Sequence, residues 1–568
     1  MERRWQKDMH TDTPGLAGPS RPETGTGDGS AKGKVTRGIA RGALVVASLT
    51  AFSRVLGLLR TVVFSQTVGS GCLGTAYVTA NQVPNLIVEL AIGGALSSAM
   101  VPVLARAANR SATDPAAKAH VERVSSALLT WSVVILLPIT LIIAVAAGPI
   151  SQLLNPVNPN AACSHADMLN VTSFMLVSFA PQIMLYGFSV VLFGVLQAYR
   201  CFGAVSLAPV IGNVVVIAAY ILFADLDHNA PLARTPLTAN LVLSIGTTLN
   251  IGMLVLVSLP AAWRLHLRWR PTLRFPEGVL RRASGLALVG ALEFVAADIY
   301  GVVTIDLANG HGDTGALVLS NYGNLVFTAV CSVLPLAIVI SAFPVLSATD
   351  GDAFDRTSAG STRAVVLMSW LGTAIMVAVT VPAAHVLTSS HDQVPQLAES
   401  FLLYAPGIAG FAVVTNLSRV LFALGRLKAA GIGLVVQQLL PAALSFPLVL
   451  LLPPKYTPGA LGLASTVGYL LVVPPMLAAT RRARGPAAVA GVGRATLVAI
   501  AAGAAGSAVG LAVTLVLPAG GSIYEVGTGV VATGLAIIVF GVVAFALDRH
   551  GDMRASADRL RRYVRSSP

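Results

Sequence analysis

The sequence predicts an all-α membrane protein with about fourteen transmembrane helices, and two observations carry this prediction. Hydrophobic residues make up 55% of the 568 residues, charged residues make up only 11%, and the mean hydropathy is +0.76. A soluble domain carries roughly 25% charged residues, so a soluble fold of this length could not cover so much apolar surface. The apolar residues also form continuous stretches of about 20 residues or more, the length that crosses a bilayer. Soluble enzymes, secreted disulfide scaffolds and coiled coils are thereby excluded.

A polar N-terminal tail is followed by fourteen apolar stretches with short polar breaks. Residues 1–38 hold Gly, Ser, Thr, Pro and mixed charges with almost no aliphatic run, a composition typical of a disordered tail. The stretches lack the alternation of a membrane barrel, so each is interpreted as a helix. The predicted spans are 43–66, 75–104, 122–147, 166–198, 203–224, 236–259, 283–306, 315–345, 364–388, 396–423, 430–452, 459–480, 495–517 and 524–547.

The positions of Lys and Arg predict that both termini are cytoplasmic. Under a fourteen-span count, 33 of the 38 Lys and Arg residues fall in the two tails and the loops on one side. Only Arg234 and Lys455 fall in loops on the other side. Positive residues are retained on the cytoplasmic side, and a miscounted span would invert the asymmetry downstream. The net charge of +13 is therefore attributed to membrane orientation, and no nucleic-acid partner is expected.

A faint internal repeat is consistent with two bundles of six helices. Val195–Arg200 recurs 225 residues later as Val420–Arg426, and each segment ends an even-numbered span at a short basic turn. Duplicated six-helix bundles, with spans 13 and 14 appended, would give the two segments equivalent positions. The alternative is that any short basic loop between Ala- and Leu-rich helices has this pattern.

Six ionisable residues fall inside predicted spans, where each costs roughly 2.5–3.5 kcal/mol to insert. Such residues usually face a bundle interior or a water-filled pathway, which makes them the first candidates for function. They are Arg54, Arg60, Glu89, Glu293, Asp298 and Arg419.

The two arginines of span 1 suggest contact with a phosphate-bearing ligand. At 1.5 Å per residue, Arg54 lies about 16 Å and Arg60 about 25 Å above the cytoplasmic start of the span. A guanidinium fork matches the oxygens of a phosphate, and Arg60 is expected to face a cavity. For Arg54 a structural role is favoured, such as an ion pair with Glu89 that serves helix packing.

Spans 2 and 7 supply the other candidates. Gly93–Gly94 follow Glu89 in span 2 and allow close helix approach or bending. Glu293 and Asp298 are five positions apart in span 7 and hence about 140° apart around the helix axis. They either bind a coupling cation or proton, or pair with Arg419.

No motif of catalysis is present. The sequence has no nucleotide-binding loop, no zinc motif and no Ser/His/Asp set at recognisable spacing, so neither an enzyme activity nor a cofactor or metal is expected. The four cysteines show no metal-ligand spacing. Cys72 and Cys163 both fall in loops predicted to face outside, which allows a disulfide, although two free thiols are the default expectation.

Short segments along the chain carry a family resemblance. In spans 1 and 2 they are Phe52–Arg60, Val83–Leu86, Gly94–Ser97 and Val101–Pro102. These closely resemble the start of the MurJ/MviN family, the lipid II flippases of the multidrug/oligosaccharidyl-lipid/polysaccharide exporter superfamily. The resemblance extends over most of residues 40–480, through Leu196–Ala198, Arg200, Phe202, Ala208–Pro209, Asn213, Leu334–Pro335, Phe343–Ser347 and Leu417–Leu424.

The resemblance implies two six-helix lobes, at 39–259 and 260–480, around a central cavity that opens alternately to each side. Spans 13 and 14, within 481–548, would form a hydrophobic groove for a polyprenyl tail, and a basic cytoplasmic tail follows at 549–568. The implied cargo is lipid II, an undecaprenyl-pyrophosphate-linked glycopeptide. It would be moved from the inner to the outer leaflet of the bacterial plasma membrane for cell-wall synthesis. The implied partners are this lipid, the bilayer and cell-wall synthesis proteins.

The resemblance also implies residue roles. The expected substrate-binding residues are Arg60, on the pyrophosphate, with Arg54, Asn85 and Asn324. The expected structural or gating residues, which let span 2 bend between states, are Pro84, Glu89, Gly93 and Gly94. Glu293, Asp298 and Arg419 are candidates for ion coupling because of their charges inside predicted spans, not because of the resemblance.

Several positions depart from the family pattern. Thr61 stands where the family usually has Asp, Val88–Glu89 replace a basic pair, Gly93 replaces Glu, and Asn324–Leu325 replace an Asp-Arg pair. In the family, arginines of helices 1, 2 and 8 converge on the pyrophosphate, whereas here only those of span 1 are kept. The alternative functions are therefore a divergent paralogue that exports another lipid-linked glycan or metabolite, and a non-transporting scaffold for cell-wall enzymes.

Overall fold

The computed structural model describes most of the chain between residues 52 and 547. The described residues are 48–49, 52–89, 104, 107–108, 110–111, 114–228, 230–274, 279–388, 390–517 and 520–547, with side chains omitted at 279–288. The chain divides into two units, Met1–Ala51 and Phe52–Pro568, and the account below concerns the second. The predicted disordered tail at 1–38 and the basic tail at 549–568 lie outside the described residues.

The described residues form helices and loops, without a β-strand. The helices of the first half are α1 (52–67), α2 (Cys72–Val88), α3 (Pro115–Val145), α4 (Ala147–Leu154), α5 (His165–Ala198), α6 (Phe202–Asp227), α7 (Leu237–Trp263) and α8 (Val279–His311). Those of the second half are α9 (Ala316–Val333), α10 (Pro335–Ala348), α11 (Gly351–Ala378), α12 (Thr380–Leu387), α13 (Val394–Tyr404), α14 (Gly407–Ala423), α15 (Leu427–Leu451), α16 (Thr457–Arg484), α17 (Val492–Val516) and α18 (Ser522–Leu547).

Eleven helical segments of the described chain are long and apolar enough to cross a membrane. The all-helical, multi-span fold predicted from composition is therefore confirmed. Helices also occupy predicted spans 1, 2 and 7, as α1, α2 and α8, but these are not among the eleven. The count of fourteen and the cytoplasmic placement of both termini stay predictions.

Prolines divide three of the predicted spans. Span 8 breaks into α9 and α10 at Leu334, because the ring of Pro335 disfavours helical backbone in the preceding residue. Span 9 breaks into α11 and α12 at Val379, and span 10 breaks into α13 and α14 at Ala405–Pro406. Proline has no backbone N–H group to donate to the helix, but a prediction based on apolar content does not take this into account. The predicted spans therefore run through all three breaks.

The helices pack as two groups with an appended pair. Helices of the first group (52–263) pack mainly on one another, and so do those of the second group (279–484). The groups meet chiefly where α2 contacts α8 and α9 and where α4 contacts α8. The last two helices, α17 and α18, pack on each other and on α11 and α12. This arrangement leaves a cavity between the two groups.

Cys72 and Cys163 form a disulfide, so the default expectation of two free thiols was wrong. The sequence indicated that both residues lie in loops on one side, but it could not show that α2 and α5 pack together and bring the loops into contact. The bond joins the first residue of α2 to the loop before α5. Cys201 and Cys331 are free thiols.

Removing this disulfide is expected to destabilise the protein measurably. The bond closes a loop with a sequence separation of 91 residues, and Cys163→Ser should lower the free energy of unfolding by about 2–4 kcal/mol because the unfolded chain gains freedom. Thermal unfolding of the purified protein measures the effect, with Cys201→Ser as the matched control at a free, half-buried thiol. Equal unfolding temperatures for the two variants would show that the bond does not support the fold.

Candidate functional site

The cavity between the helix groups has a first part, the polar chamber, of about 250 Å³. Arg60 is the charged side chain among its described lining residues, and the others are mostly amides, hydroxyls and aromatic rings. The polar lining residues are Thr61, Tyr77, Asn81, Gln82, Asn85, Gln182, Tyr186, Tyr220, Thr247, Asn250, Asn321 and Tyr322. A chamber of this composition can hold an anionic group against one guanidinium and surround it with neutral hydrogen-bonding groups.

A buried hydrogen-bond network fixes one wall of the polar chamber. The Tyr77 hydroxyl lies 2.8 Å from the Tyr220 hydroxyl and 2.9 Å from Thr247 Oγ1. The ring of Phe64 packs 5.1 Å from that of Tyr77 and 5.4 Å from that of Tyr220, centre to centre. This wall therefore joins α1, α2, α6 and α7 into one rigid surface, one turn of helix above Arg60.

Asn85 is also held in place. The Tyr186 hydroxyl donates to Asn85 Oδ1 over 3.1 Å, and the amide NH₂ of Asn85 has no hydrogen-bond partner among the described residues, so it can donate into the cavity. Gln82 Nε2 donates to Asn321 Oδ1 over 3.0 Å and so connects the two helix groups at mid-cavity.

The second part of the cavity, the acidic chamber, has a volume of about 580 Å³. It adjoins the polar chamber, since Gln82, Asn85 and Asn321 line both. The charged residues of its described lining are Glu89 and Glu293, and Asn324 lines it together with Asn321. Aromatic residues close its far side: they are Phe294, Tyr300, Phe327, Tyr404, Phe411 and Tyr469. Among the described lining residues, the positive charge thus lies in one chamber and the negative charges lie in the other.

An apolar groove of about 550 Å³ lies beside the polar chamber. Residues of α1, α9, α12 and α18 line it, and Val530 is 67% exposed within it. Thr61 and Leu325 line both the groove and the polar chamber, so the two spaces are neighbours. The sequence predicted a groove from spans 13 and 14; α18 contributes to this one, and α17 supplies none of its described lining residues.

Hydrogen bonds between the two helix groups concentrate at one end of the cavity, here named the closed end. Asn309 Nδ2 donates to Thr79 Oγ1 over 2.9 Å and to the Leu154 carbonyl over 2.8 Å. Asn158 Nδ2 donates to the carbonyls of Asn309 and Gly312 over 2.8 Å each. In the predicted orientation this end faces outside.

Gly315 allows a close approach at the closed end. Its backbone has φ +92° at the start of α9, a conformation that side-chain-bearing residues rarely adopt. A Cβ atom there would collide with the Ser70 carbonyl oxygen and lie 2.9 Å from Gln393 Nε2. Ser70 in turn hydrogen bonds to Gln393 across the two groups. The glycine thus lets the loops before α2, α9 and α13 meet.

Asn309→Ala is expected to loosen the closed end. The substitution removes two hydrogen bonds across the groups, worth about 1–3 kcal/mol together, which corresponds to a five- to 150-fold shift toward separated loops. The labelling rate of a Met168→Cys reporter by a membrane-impermeant maleimide measures this shift, because Met168 is buried beside the same contacts. Asn324→Ala, which lies away from these contacts, serves as the control substitution. If Asn309→Ala leaves the labelling rate unchanged, Asn309 does not hold this end shut.

The structure brings together some, but not all, of the residues singled out from the sequence. Five of them line the cavity: they are Arg60, Asn85, Glu89, Glu293 and Asn324. Pro84 is buried inside α2, and Gly93 and Gly94 lie outside the described residues.

The other predicted site residues lie apart from the described cavity lining. Arg54 is exposed on α1, and no salt bridge of the described residues joins it to Glu89. Arg419 is exposed and stacks over Phe343, with 5.4 Å from the guanidinium carbon to the ring centre. Both carboxylate oxygens of Asp298 are buried without a hydrogen-bond partner among the described residues.

Apart from Asn85, the neutral polar residues of the polar chamber were not assigned a site role from the sequence. These residues carry no charge, so the free energy of inserting them into the membrane is too small to single them out as functional. They include Tyr77, Gln182, Thr247 and Asn250. A usable signal was the run Asn81, Gln82, Asn85 in span 2, three amides within five positions of an apolar stretch.

Comparison with known proteins identifies relatives. A family model described as "Lipid II flippase MurJ" matches residues 64–540. The lipid II flippase MurJ of Burkholderia cenocepacia is 32% identical over 190 residues, which cover 32% of this chain and 34% of that protein. A probable lipid II flippase MurJ of Rhizobium tropici is 27% identical over 54% of each chain. The chain therefore spans about a third to a half of the length of these two relatives.

Solved structures show the same fold. A lipid II flippase MurJ in an inward closed conformation matches with a TM-score of 0.68 and 15% identity, over 89% of this chain and 99% of that one. An inward-facing multidrug resistance transporter of the MATE family matches with a TM-score of 0.58 and 13% identity, over 78% of this chain and 99% of that one.

Proposed function

The chain belongs to the lipid II flippase MurJ family, and from that premise we propose that it moves lipid II from the inner to the outer leaflet by alternating access. It is a multi-pass protein of the bacterial plasma membrane. We take the two helix groups as the two lobes predicted at 39–259 and 260–480, and 481–548 as the segment that completes the tail groove. The protein supplies a path and performs no covalent chemistry.

The contact between the polar chamber and the apolar groove carries this proposal. A lipid-linked glycan needs a polar site for its head and an apolar surface for its tail at the same time. Thr61 and Leu325 line both spaces, so a head group in the chamber can remain covalently joined to a polyprenyl chain in the groove. A transporter for a small soluble solute would need no such groove.

Arg60 is the proposed pyrophosphate ligand. Guanidinium groups form paired, charge-assisted hydrogen bonds to phosphate oxygens, and Arg60 is the cation on the described lining of the polar chamber. We propose that Asn85 and Asn324 bind the sugar and peptide portions, because amides both donate to and accept from hydroxyl and peptide groups. Arg54, six residues earlier and on another face of α1, is proposed to orient that helix.

Transport requires that the closed end separate while the other end closes. We propose that Pro84 permits α2 to bend during this change, since a proline removes one intrahelical hydrogen bond, and that Glu89, Gly93 and Gly94 share in the movement. Glu293, Asp298 and Arg419 are the candidates for coupling it to an ion or proton. Cell-wall synthesis proteins are the proposed protein partners.

Rescue of a flippase-depleted bacterial strain tests the proposed cargo. The wild-type chain should restore growth and cell shape, because lipid II export is the missing activity. A chain that reaches the membrane at normal levels and fails to rescue would exclude lipid II as its cargo in that host. Such a result would favour the paralogue that exports another lipid-linked glycan.

A further inference from the structure

The described part of the segment after α7 is docked against α3. After α7 ends at Trp263, residues 267–274 run without helix or strand, and their backbone N–H groups donate to side chains of α3. Arg268 N donates to Glu122 Oε1 over 3.0 Å, and Arg270 N donates to Ser126 Oγ over 3.0 Å.

Two further bonds continue this pairing along α3. Thr272 N donates to Thr130 Oγ1 over 3.1 Å, and the Trp131 indole N–H donates to the Leu273 carbonyl over 3.1 Å. The acceptors recur every fourth helical residue, a rise of about 6.0 Å, and the donors every second extended residue, about 6.6 Å. Because the two spacings nearly match, the extended segment can pair with α3 at three consecutive donor–acceptor pairs.

The docking places the side chains of the segment on two faces. Leu265, Leu267 and Trp269 pack against the buried clusters beneath. The exposed charged residues of the segment and of the turn before it are Arg264, Arg268, Arg270 and Arg274. We name these four the arginine strip. None of their guanidinium groups forms a salt bridge with another described residue, and the nearby acidic side chain on the docked edge is Glu122.

The arginine strip lies where two helices change from polar to apolar. In α3 no Asp, Glu, Lys or Arg follows Arg123, and α7 has none at all. The strip begins directly after Trp263 and runs beside α3 between Glu122 and Trp131. A change from charged to apolar sequence of this kind is typical of helices that enter the bilayer from the head-group region.

Exposed apolar residues border the arginine strip. Trp263 is 66%, Leu273 53% and Trp131 37% exposed. Tryptophan is enriched at membrane–water interfaces, where its ring meets both lipid chains and head groups. An acidic protein surface would not require this apolar border.

We propose that the arginine strip binds the phosphate groups of anionic phospholipids at the membrane surface. A flexible basic loop would suffice to orient the protein in the membrane, whereas here the backbone fixes four cations in one row. Each arginine near an anionic membrane surface strengthens binding about fivefold. The inference is independent of the cargo that the protein carries.

Quenching of tryptophan fluorescence by brominated lipids tests the proposal. Three of the five tryptophans, Trp131, Trp263 and Trp269, lie at the arginine strip. The full-length protein is reconstituted in mixed phosphatidylcholine–phosphatidylglycerol vesicles with bromine on one lipid or the other. At equal mole fraction, brominated phosphatidylglycerol should quench more strongly, with at least a tenfold higher relative binding constant. Replacing all four strip arginines by glutamine should remove that preference.

A matched control distinguishes an effect of the arginine strip from an effect of the protein's total positive charge. Arg426, Lys428, Arg481 and Arg482 are exposed on the same predicted side, and their replacement by glutamine should leave the preference intact. If the strip variant does not insert into vesicles, the wild-type protein can still test the proposal. Raising the salt concentration should weaken its preference for phosphatidylglycerol, because salt screens the interaction.

Three results would overturn the proposal. Equal quenching by the two lipids would show that the strip does not select anionic lipid, as would a preference that salt leaves unchanged. A preference that inorganic pyrophosphate abolishes at constant ionic strength would show a site for free phosphate groups. An equal loss in the control variant would assign the preference to total charge.

Discussion

Replacing Arg60 by alanine is expected to abolish rescue of a flippase-depleted strain while leaving the amount of protein in the membrane unchanged. Arg60 supplies the positive charge on the described lining of the polar chamber, and nothing else there would neutralise a pyrophosphate. Each hydrogen bond to a charged group contributes about 1.5–3 kcal/mol, so losing one such bond weakens binding roughly ten- to 100-fold. Growth under depletion, together with immunoblotting of the membrane fraction, measures both quantities.

Two substitutions serve as controls for Arg60. Arg60→Lys keeps the charge but loses the paired geometry and should rescue partially. Arg54→Ala removes a guanidinium from the same helix, on an exposed face away from the cavity lining, and should rescue far better than Arg60→Ala. Full rescue by Arg60→Ala would remove this residue from the transport mechanism.

The second large effect is expected from a charge placed in the apolar groove. Val530 lines the groove and is 67% exposed there, so the Val530→Asp side chain would lie against the proposed polyprenyl tail. A carboxylate in such surroundings costs roughly 2.5–3.5 kcal/mol, which predicts a loss of transport of about 100-fold. Transport of lipid II by the purified variant in proteoliposomes is the measurement.

The neighbouring residue provides a control for insertion. Val531 is 52% exposed at the same depth of α18 but does not line the groove. Val531→Asp therefore carries a similar insertion cost without placing a charge on the tail, and it should retain most of the activity. If both variants transport equally well, the groove does not hold the lipid tail.

The positions of the helices could largely be predicted from the sequence. The predicted spans 166–198 and 524–547 compare with α5 at His165–Ala198 and α18 at Ser522–Leu547, because continuous apolar stretches follow the thickness of the bilayer directly. The breaks were not readable. Pro181 lies inside an unbroken α5 whereas Pro335 starts a new helix, and the difference depends on what packs around each residue.

The site was readable only in part, for a physical reason. Arg60 and Glu293 could be picked out because a charge inside a membrane span is costly and therefore informative. Tyr77, Tyr220 and Thr247 form a buried wall of the same cavity, yet as neutral residues they give no such signal. Their convergence depends on how α2, α6 and α7 pack, and one-dimensional periodicity does not encode that packing.

The central claim is that this chain flips lipid II through the joined chamber and groove. The most direct test is to reconstitute the purified wild-type protein and the Arg60→Ala variant in proteoliposomes containing lipid II, and to measure how much lipid II crosses the bilayer. We predict rapid crossing with the wild-type protein and crossing at the protein-free rate with the variant. Wild-type protein that moves lipid II no faster than empty liposomes would contradict the account.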